Sequence, residues 1–123
     1  MIEEKYILIV EDDFDLLWLI KKILLLNGFQ VLTAVTAEQA VDEFSRNLFK
    51  IKGVILDLSL PDGDGSYLCS DFIEVSPEIP IVITTGLEDR EQRKKLEHLG
   101  IAGYLVKPFD IMNLVKLLSE VIV

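Results

Sequence analysis

The sequence predicts an α/β domain in which a five-stranded parallel sheet is covered by helices on both faces. The chain has 123 residues, the size of one ordinary domain, and 50% of them are hydrophobic. Short apolar runs alternate with segments whose apolar residues recur at helical spacing. Crossovers between parallel strands are right-handed, so such an alternation places helices on both faces of the sheet.

The predicted strands are continuous apolar runs, which are typical of strands buried on both faces. Pro77 and Pro80 bracket the entry to the fourth run, and Gly53 leads into the centre of the third. In chain order the strands are predicted at residues 6–10, 29–34, 51–58, 81–84 and 102–106.

The predicted helices are marked by apolar periodicity and by capping residues. Asp13 and Thr36 are N-cap candidates for the first and second helices, while Gly28 and Gly100 follow the first and fourth. Between the third strand and the third helix, residues 61–65 have the composition of a loop. The helices are predicted at residues 14–26, 37–47, 66–75, 88–99 and 111–121.

Five such units fit the flavodoxin-like strand order 2-1-3-4-5, which makes the first and third strands neighbours. Glu11 and Asp12 follow the first strand, and Asp57 stands at the end of the third. Thr85 and Lys107 follow the fourth and fifth strands. Because ligands bind at the carboxyl edge of such a sheet, we expect these side chains to meet in one cleft.

These residue types point to phosphoryl transfer assisted by a metal. Three clustered carboxylates repel one another, and a hard dication such as Mg²⁺ would keep them ionised. Asp57 is the candidate nucleophile, with Lys107 and the Thr85 hydroxyl placed to contact a phosphoryl oxygen. Gly86 leaves room for the group and offers a backbone N–H. Each of these residues also has a competing structural interpretation. Asp57 would then be a polar strand end, and Lys107 a solvated surface lysine. Thr85 would be a β-branched strand residue, a role that Thr84 fits equally.

Charge and cysteine content exclude several classes of function. The net charge is −9, which argues against direct binding of nucleic acid or of an anionic membrane. Cys69 is the only cysteine, so no disulfide can form within the chain. With His98 as the only histidine, the chain lacks the ligands of a soft-metal site such as a zinc site. No apolar stretch is long enough to span a bilayer, and residues 1–5 lack a signal-peptide pattern, so we expect a cytoplasmic protein.

Taken together, the strand-end motifs resemble the receiver domain of two-component response regulators, the CheY-like superfamily. The resemblance covers essentially the whole chain, in the right order and at the right spacing, and predicts that residues 1–123 form a single receiver domain. The motifs are Ile7-Leu8-Ile9-Val10-Glu11-Asp12-Asp13, Val54-Ile55-Leu56-Asp57-Leu58, Leu60-Pro61-Asp62-Gly63-Asp64-Gly65, Thr85-Gly86 and Lys107-Pro108-Phe109.

The resemblance implies that Asp57 accepts a phosphoryl group from a histidine kinase or phosphotransfer protein. Glu11 and Asp12 match the family's acid pair, and Ser59 matches the position that binds Mg²⁺ through its backbone carbonyl, with Mn²⁺ as an alternative ion. Asp57 would complete the metal site. Such a protein is not an enzyme in the ordinary sense, because it catalyses only its own phosphorylation and dephosphorylation.

The resemblance also implies a switch and a readout surface. Thr85 and Tyr104 match the family's switch pair, and the bond between Lys107 and Pro108 is usually cis in the family. The face built by the fourth helix, fifth strand and fifth helix would contact an output domain or a second copy. The charged fourth helix is equally compatible with a solvated surface. Trp18 on the first helix is expected to pack or to be partly exposed, although that helix docks kinases in the family.

Three other classes of protein compete with this prediction. A haloacid-dehalogenase-type phosphatase needs a second acid where Ser59 stands. A flavin carrier of the same fold needs a phosphate-binding loop, and Glu11, Asp12 and Asp13 would repel the phosphate. The main alternative is a pseudo-receiver that binds partners without phosphorylation, although such domains usually lose an acid or the lysine that this chain keeps.

Overall fold

The computed structural model describes residues 4–122, so the outermost residues of the predicted 1–123 domain, and most of the segment tested for a signal peptide, lie outside the described residues. The described part alternates strands and helices as the sequence predicts. Its elements are β1 (Tyr6–Val10), α1 (Phe14–Leu26), β2 (Gln30–Ala34), α2 (Ala37–Arg46), β3 (Ile51–Asp57), β4 (Ser59–Leu60), β5 (Gly63–Asp64), α3 (Ser66–Val75), β6 (Ile81–Thr85), α4 (Arg90–Leu99), β7 (Gly103–Val106) and α5 (Ile111–Val121).

Five of the strands form one parallel sheet in the order β2-β1-β3-β6-β7. When the short β4–β5 pair is set aside, this is the predicted flavodoxin-like order 2-1-3-4-5, and the fold prediction is confirmed. The central strands β1 and β3 run side by side with Val10 opposite Leu56, so the residues that follow them emerge together at the carboxyl edge.

Two hydrophobic clusters, one on each face of the sheet, hold the helices in place. The face covered by α1 and α5 buries Ile9 and Ile55, and the face covered by α2, α3 and α4 buries Val10 and Leu56. Each large apolar side chain buried in this way contributes about 1.5–3 kcal/mol relative to an exposed one. The layers therefore fix the sheet edge on which the candidate site is built.

Most predicted element bounds agree with the structure to within one residue, and the largest difference has a capping explanation. The fourth helix begins at Arg90, because Asp89 has an extended backbone and its side chain accepts a hydrogen bond from the Gln92 N–H (3.1 Å). Asp13 and Thr36 act as the predicted N-caps of α1 and α2. Within the described residues, none of the helices is both long and apolar enough to cross a membrane.

The segment predicted as a loop after β3 contains a short antiparallel hairpin. Ser59 pairs with Asp64 and Leu60 with Gly63, and Gly63 has the positive φ of 137° that favours glycine. The sequence predicted a loop at residues 61–65 and missed the hairpin, because a ladder of two residue pairs is too short to produce a visible apolar alternation.

The first testable prediction concerns Gly65, which packs against the backbone of the strand end. A Cβ at this position would lie 2.9 Å from the Asp57 carbonyl oxygen and 3.5 Å from the Leu58 Cα. Backbone atoms cannot move aside as a flexible side chain can. We therefore expect Gly65→Ala to lower the free energy of unfolding by about 1–3 kcal/mol. Urea unfolding measures the loss.

Gly86→Ala is the matched control, because a Cβ at Gly86 would meet no atom within 4 Å. We expect its free energy of unfolding to stay within about 0.5 kcal/mol of wild type. Equal losses in the two variants would contradict the steric argument.

Candidate functional site

Three carboxylates converge at the carboxyl edge of the central strands. Glu11 follows β1 and Asp57 ends β3, and each of the two residues is only 1% exposed, whereas Asp12 is exposed. One carboxylate oxygen from each of the three lies within 4.8 Å of the others. The structure thus brings together the acids that the sequence placed at two strand ends.

Lys107 lies between the two buried acids. Its Nζ is 3.1 Å from Asp57 Oδ2, to which it donates a hydrogen bond, and 2.8 Å from Glu11 Oε1. The contact with Glu11 is an ion pair without hydrogen-bond alignment, so the buried Oε1 accepts no hydrogen bond from the described residues. The interpretation of Lys107 as a freely solvated lysine does not fit this position, since only 26% of its side chain is exposed.

Pairing of the β6 and β7 backbones places Lys107 at the site. The Lys107 N–H donates to the Thr85 carbonyl oxygen at 2.7 Å, which continues the pairing of β6 with β7 beyond the last ladder residues. The bond between Lys107 and Pro108 is cis, as the resemblance implies.

The close packing of these charges changes the proton affinity of two groups. Burial raises the pKa of Glu11 to about 7, and the neighbouring Asp57 adds to the rise while Lys107 opposes it. Burial alone would lower the pKa of Lys107, but its contacts with Glu11 and Asp57 outweigh burial and raise it. Near neutral pH the lysine is therefore a cation, and Glu11 is close to its titration midpoint.

The carboxylate of Asp57 is held on both sides. Its Oδ1 accepts a hydrogen bond from the Ser59 N–H at 3.1 Å, and its Oδ2 accepts the bond from Lys107. Ser59 itself is exposed and begins the hairpin strand β4. The structure therefore places the backbone of Ser59 directly beside Asp57.

Thr85 ends β6 and is 4% exposed. Its hydroxyl donates to the Leu87 carbonyl oxygen (3.1 Å) and accepts from the Leu87 N–H (3.3 Å), so it is engaged with its own loop. Thr84, which the sequence could not separate from Thr85, stands opposite Asp57 in the strand register. A Cβ at Gly86 would meet no atom within 4 Å, so the space beside this residue is open.

Tyr104 is a buried residue of β7, 8% exposed, and it pairs with Ile83 of β6. Its side chain lies on the same face of the sheet as that of Thr85, because Thr85 pairs with Val106, two residues further along β7. The Tyr104 hydroxyl is buried without a hydrogen-bond partner among the described residues, and the Arg93 guanidinium lies 5.1 Å from the ring centre.

The donor set suits a hard divalent cation. Carboxylate oxygens are the ligands that Mg²⁺ and similar ions take, and Glu11, Asp12 and Asp57 each place one such oxygen within 4.8 Å of the others. The residues present therefore fit the group that the sequence suggests.

The role of Asp62 was not predicted from the sequence, which placed the residue only in a predicted loop. The Asp62 carboxylate accepts hydrogen bonds from the Ala37 and Glu38 N–H groups at the start of α2, at 2.8 and 3.1 Å. No periodicity or spacing rule signals a contact between residues 25 positions apart.

Comparison with known proteins agrees with this geometry. Residues 7–119 match the response regulator receiver domain. The chain belongs to this family. It is thus the receiver domain of a two-component response regulator, and receiver domains are regulatory modules rather than classical enzymes.

The receiver domain is similar to several longer regulators. It is 31% identical over 108 residues to the probable transcriptional regulator ycf27 of Porphyridium aerugineum, covering 88% of this chain and 44% of that protein. It is 29% identical over 109 residues to the transcriptional regulatory protein PrrA of Mycobacterium bovis, covering 89% of this chain and 46% of that protein. The chain therefore spans less than half the length of these curated relatives.

Solved receiver structures have the same fold. The non-phosphorylated HemR receiver domain from Leptospira biflexa has a TM-score of 0.89 at 30% identity, covering 97% of this chain and 94% of that one. The CheX-CheY-BeF3-Mg complex from Borrelia burgdorferi contains a chain with a TM-score of 0.88 at 25% identity, covering 96% of this chain and 89% of that one.

The pKa of Glu11 generates the second prediction. Glu11 must lose its proton to bind a cation, so we expect Mg²⁺ to stabilise the domain more at about pH 8 than at about pH 6. The unfolded chain ionises this group near 4.5 and the folded chain only near 7, so without metal its contribution to stability falls as pH rises between these values. Thermal unfolding with and without MgCl₂ at both pH values measures the gain.

Glu11→Gln is the control, because its amide does not titrate. The stabilisation of this variant by Mg²⁺ should be small and similar at the two pH values. A wild-type gain that is the same at both pH values would contradict the role given to Glu11.

Proposed function

We propose that this receiver domain takes a phosphoryl group onto Asp57 from a histidine kinase or phosphotransfer protein, in a Mg²⁺-dependent reaction. The observation that carries the proposal is the setting of the Asp57 carboxylate. It is 1% exposed, is held by Lys107 Nζ and the Ser59 N–H, and lies beside two further acids.

In this proposal Glu11, Asp12, Asp57 and the Ser59 backbone carbonyl hold Mg²⁺, with Mn²⁺ as an alternative ion. The structurally similar chain in the CheX-CheY-BeF3-Mg complex from Borrelia burgdorferi supports the choice of ion. When bound, the cation neutralises negative charge on the phosphoryl oxygens, the main requirement of phosphoryl transfer.

The chain's own residues supply the nucleophile and the anion contacts. A carboxylate oxygen of Asp57 forms a bond to phosphorus while the bond from phosphorus to the donor nitrogen breaks, and the donor imidazole leaves with that electron pair. Lys107 is already a cation beside Asp57 and contacts a phosphoryl oxygen as a point charge. The Gly86 N–H and the Thr85 hydroxyl donate hydrogen bonds to the same group.

The response is a conformational switch through Thr85 and Tyr104. The Thr85 hydroxyl must leave Leu87 to reach the phosphoryl group, and this changes the loop that leads into α4. Tyr104 lies on the same face of the sheet and contacts Arg93 of α4. The change is read on the surface of α4, β7 and α5 by an output domain or a second copy of the domain.

The exposed apolar residues of α1 support docking of the phosphodonor protein there. Phe14 and Trp18 lie one turn apart and are 65% and 66% exposed, and Phe14 follows Asp12 and Asp13 directly. Trp18 is therefore exposed rather than packed in the core. A partner bound to these side chains would stand next to the acid cluster.

The acidic surface supports the remaining expectations about partners and location. With a net charge of −9, the domain itself is proposed to contact neither nucleic acid nor membrane lipid, and to work in the cytoplasm. The pseudo-receiver alternative is less well supported, because the chain retains the acids, the threonine and the lysine and brings the acids and lysine into contact.

The third prediction tests the phosphoacceptor. Acetyl phosphate with Mg²⁺ should add about 80 Da, one phosphoryl group, to the wild-type domain. The same treatment should add nothing to Asp57→Asn or to wild type in the presence of excess chelator. Intact-mass spectrometry reads each outcome, and a wild type that gains no mass under any condition would favour the pseudo-receiver.

The fourth prediction separates the switch from the chemistry. We expect Thr85→Ala to accept the phosphoryl group but to lose the accompanying change around Tyr104, because the variant has no hydroxyl to move. Thr85→Ser keeps the hydroxyl and should keep the change. NMR spectra recorded before and after addition of acetyl phosphate follow the Tyr104 and α4 signals, and an unaltered response in Thr85→Ala would refute the switch role.

A further inference from the structure

A long-range hydrogen-bonded contact joins the hairpin beside Asp57 to the start of α2. Asp62 stands in the turn between β4 and β5, and its two carboxylate oxygens accept the N–H groups of Ala37 (2.8 Å) and Glu38 (3.1 Å). These bonds lower the pKa of Asp62, and the bond from the Ala37 N–H has the largest effect. A carboxylate is favoured at this place because the helix start carries partial positive charge.

α2 does not need Asp62 as an ordinary cap. Thr36 is its N-cap, with an extended backbone and a hydroxyl that accepts the Gln39 N–H at 3.1 Å. Asp62 takes the first two N–H groups of the helix, which Thr36 leaves available. The two hydrogen bonds therefore stabilise the tip of the hairpin more than they stabilise the helix.

The hairpin is too short to be stable without contacts to other elements. It has only two residue pairs, and an isolated ladder of that length is not stable in water. Its base is held where the Ser59 N–H donates to Asp57 Oδ1 and where the Gly65 N–H donates to the Leu58 carbonyl oxygen (2.8 Å). Asp62 provides its tip with a contact to another element.

These contacts form a second connection between Glu11 and Asp57, in addition to the sheet. The Glu11 N–H donates to the carbonyl oxygen of Ala34 (3.0 Å), the last residue of β2, and the chain then passes directly into α2. From α2 the Asp62 bonds lead to the hairpin, and the hairpin leads back to Asp57. The two sides of the cluster are thus joined through Asp62 as well as through the sheet.

We propose that Asp62 is a positioning residue for the metal site, which acts by clamping the β4–β5 hairpin so that the backbone of Ser59 is held beside Asp57. This inference rests on the proposed function, which gives the Ser59 carbonyl a role in binding Mg²⁺. Asp62 itself does not contact the ion or the phosphoryl group.

Asp64 offers a matched control within the same hairpin. It is also an exposed acid, but its carboxylate accepts only a local bond, from the Ser66 N–H two residues away (2.9 Å). Replacing either acid removes the same charge from the same segment. Of the two replacements, only that of Asp62 removes hydrogen bonds between the hairpin and α2.

The fifth prediction compares Asp62→Ala with Asp64→Ala by NMR titration with Mg²⁺ alone, well below the unfolding temperature. The backbone amide signals of residues 57–59 report binding. We expect Asp62→Ala to weaken Mg²⁺ binding about tenfold, the lower end of the loss seen when an outer-shell partner is removed. Asp64→Ala should bind within about twofold of wild type, since a lost surface charge is largely screened.

Amide hydrogen exchange without Mg²⁺ tests the clamp itself. Exchange at Ser59 and Gly65 should be faster in Asp62→Ala than in Asp64→Ala, because release of the tip loosens the base of the hairpin. If Asp62→Ala unfolds, Asp62→Asn replaces it, since its amide keeps one acceptor oxygen, and Asp64→Asn becomes the control.

The outcomes are distinct. Weaker Mg²⁺ binding together with faster exchange, confined to the Asp62 variants, supports the clamp. A purely structural role would lower the melting temperature of Asp62→Ala while leaving Mg²⁺ affinity and exchange at Ser59 equal to those of Asp64→Ala, and this would overturn the inference. Failure of the wild type to bind Mg²⁺ would instead overturn the proposed metal site, and the inference with it.

Discussion

Lys107 lies between two carboxylates that are almost completely buried, and the arrangement of the sheet edge depends on that contact. A buried carboxylate without a partner is strongly unfavourable, and two adjacent ones repel each other as well. The ammonium group 2.8 Å from Glu11 and 3.1 Å from Asp57 offsets both costs. It can do so because β7 is paired to β6 up to the Thr85 carbonyl, which fixes the position of the Lys107 backbone.

The same contact explains how one site can serve both a metal and a phosphoryl group. The lysine neutralises only part of the charge, since burial still raises the pKa of Glu11 to about 7. A cation bound by the acids would supply the missing positive charge, so the carboxylates would no longer depend on Lys107 alone for neutralisation. The lysine could then contact a phosphoryl oxygen on Asp57 without leaving two buried anions unpaired, so metal binding and phosphorylation support each other electrostatically.

The sequence was sufficient for the sheet, its strand order and the side chains that follow each strand, because each rests on a local pattern. Asp57 and Lys107 could be placed together from the fact that parallel strands end at one edge. The hairpin and the Asp62 contact could not be predicted, since they depend on hydrogen bonds between a side chain and distant backbone N–H groups. Such bonds leave no periodicity. The start of α4 at Arg90 was missed for a different reason, because its signal is local: Asp89 is an N-cap that accepts the Gln92 N–H three residues later.

The two halves of the proposed switch occupy their positions for different reasons. The Thr85 hydroxyl is held by two hydrogen bonds to Leu87, whereas the Tyr104 ring is buried in the core under Arg93, with its hydroxyl lacking a partner. Burial of an unpaired hydroxyl is a cost that the apolar contacts of the ring must offset. In the proposed switch, a phosphoryl group that draws the Thr85 hydroxyl away from Leu87 would shift the populations of the two arrangements only by as much as it favours one of them over the other.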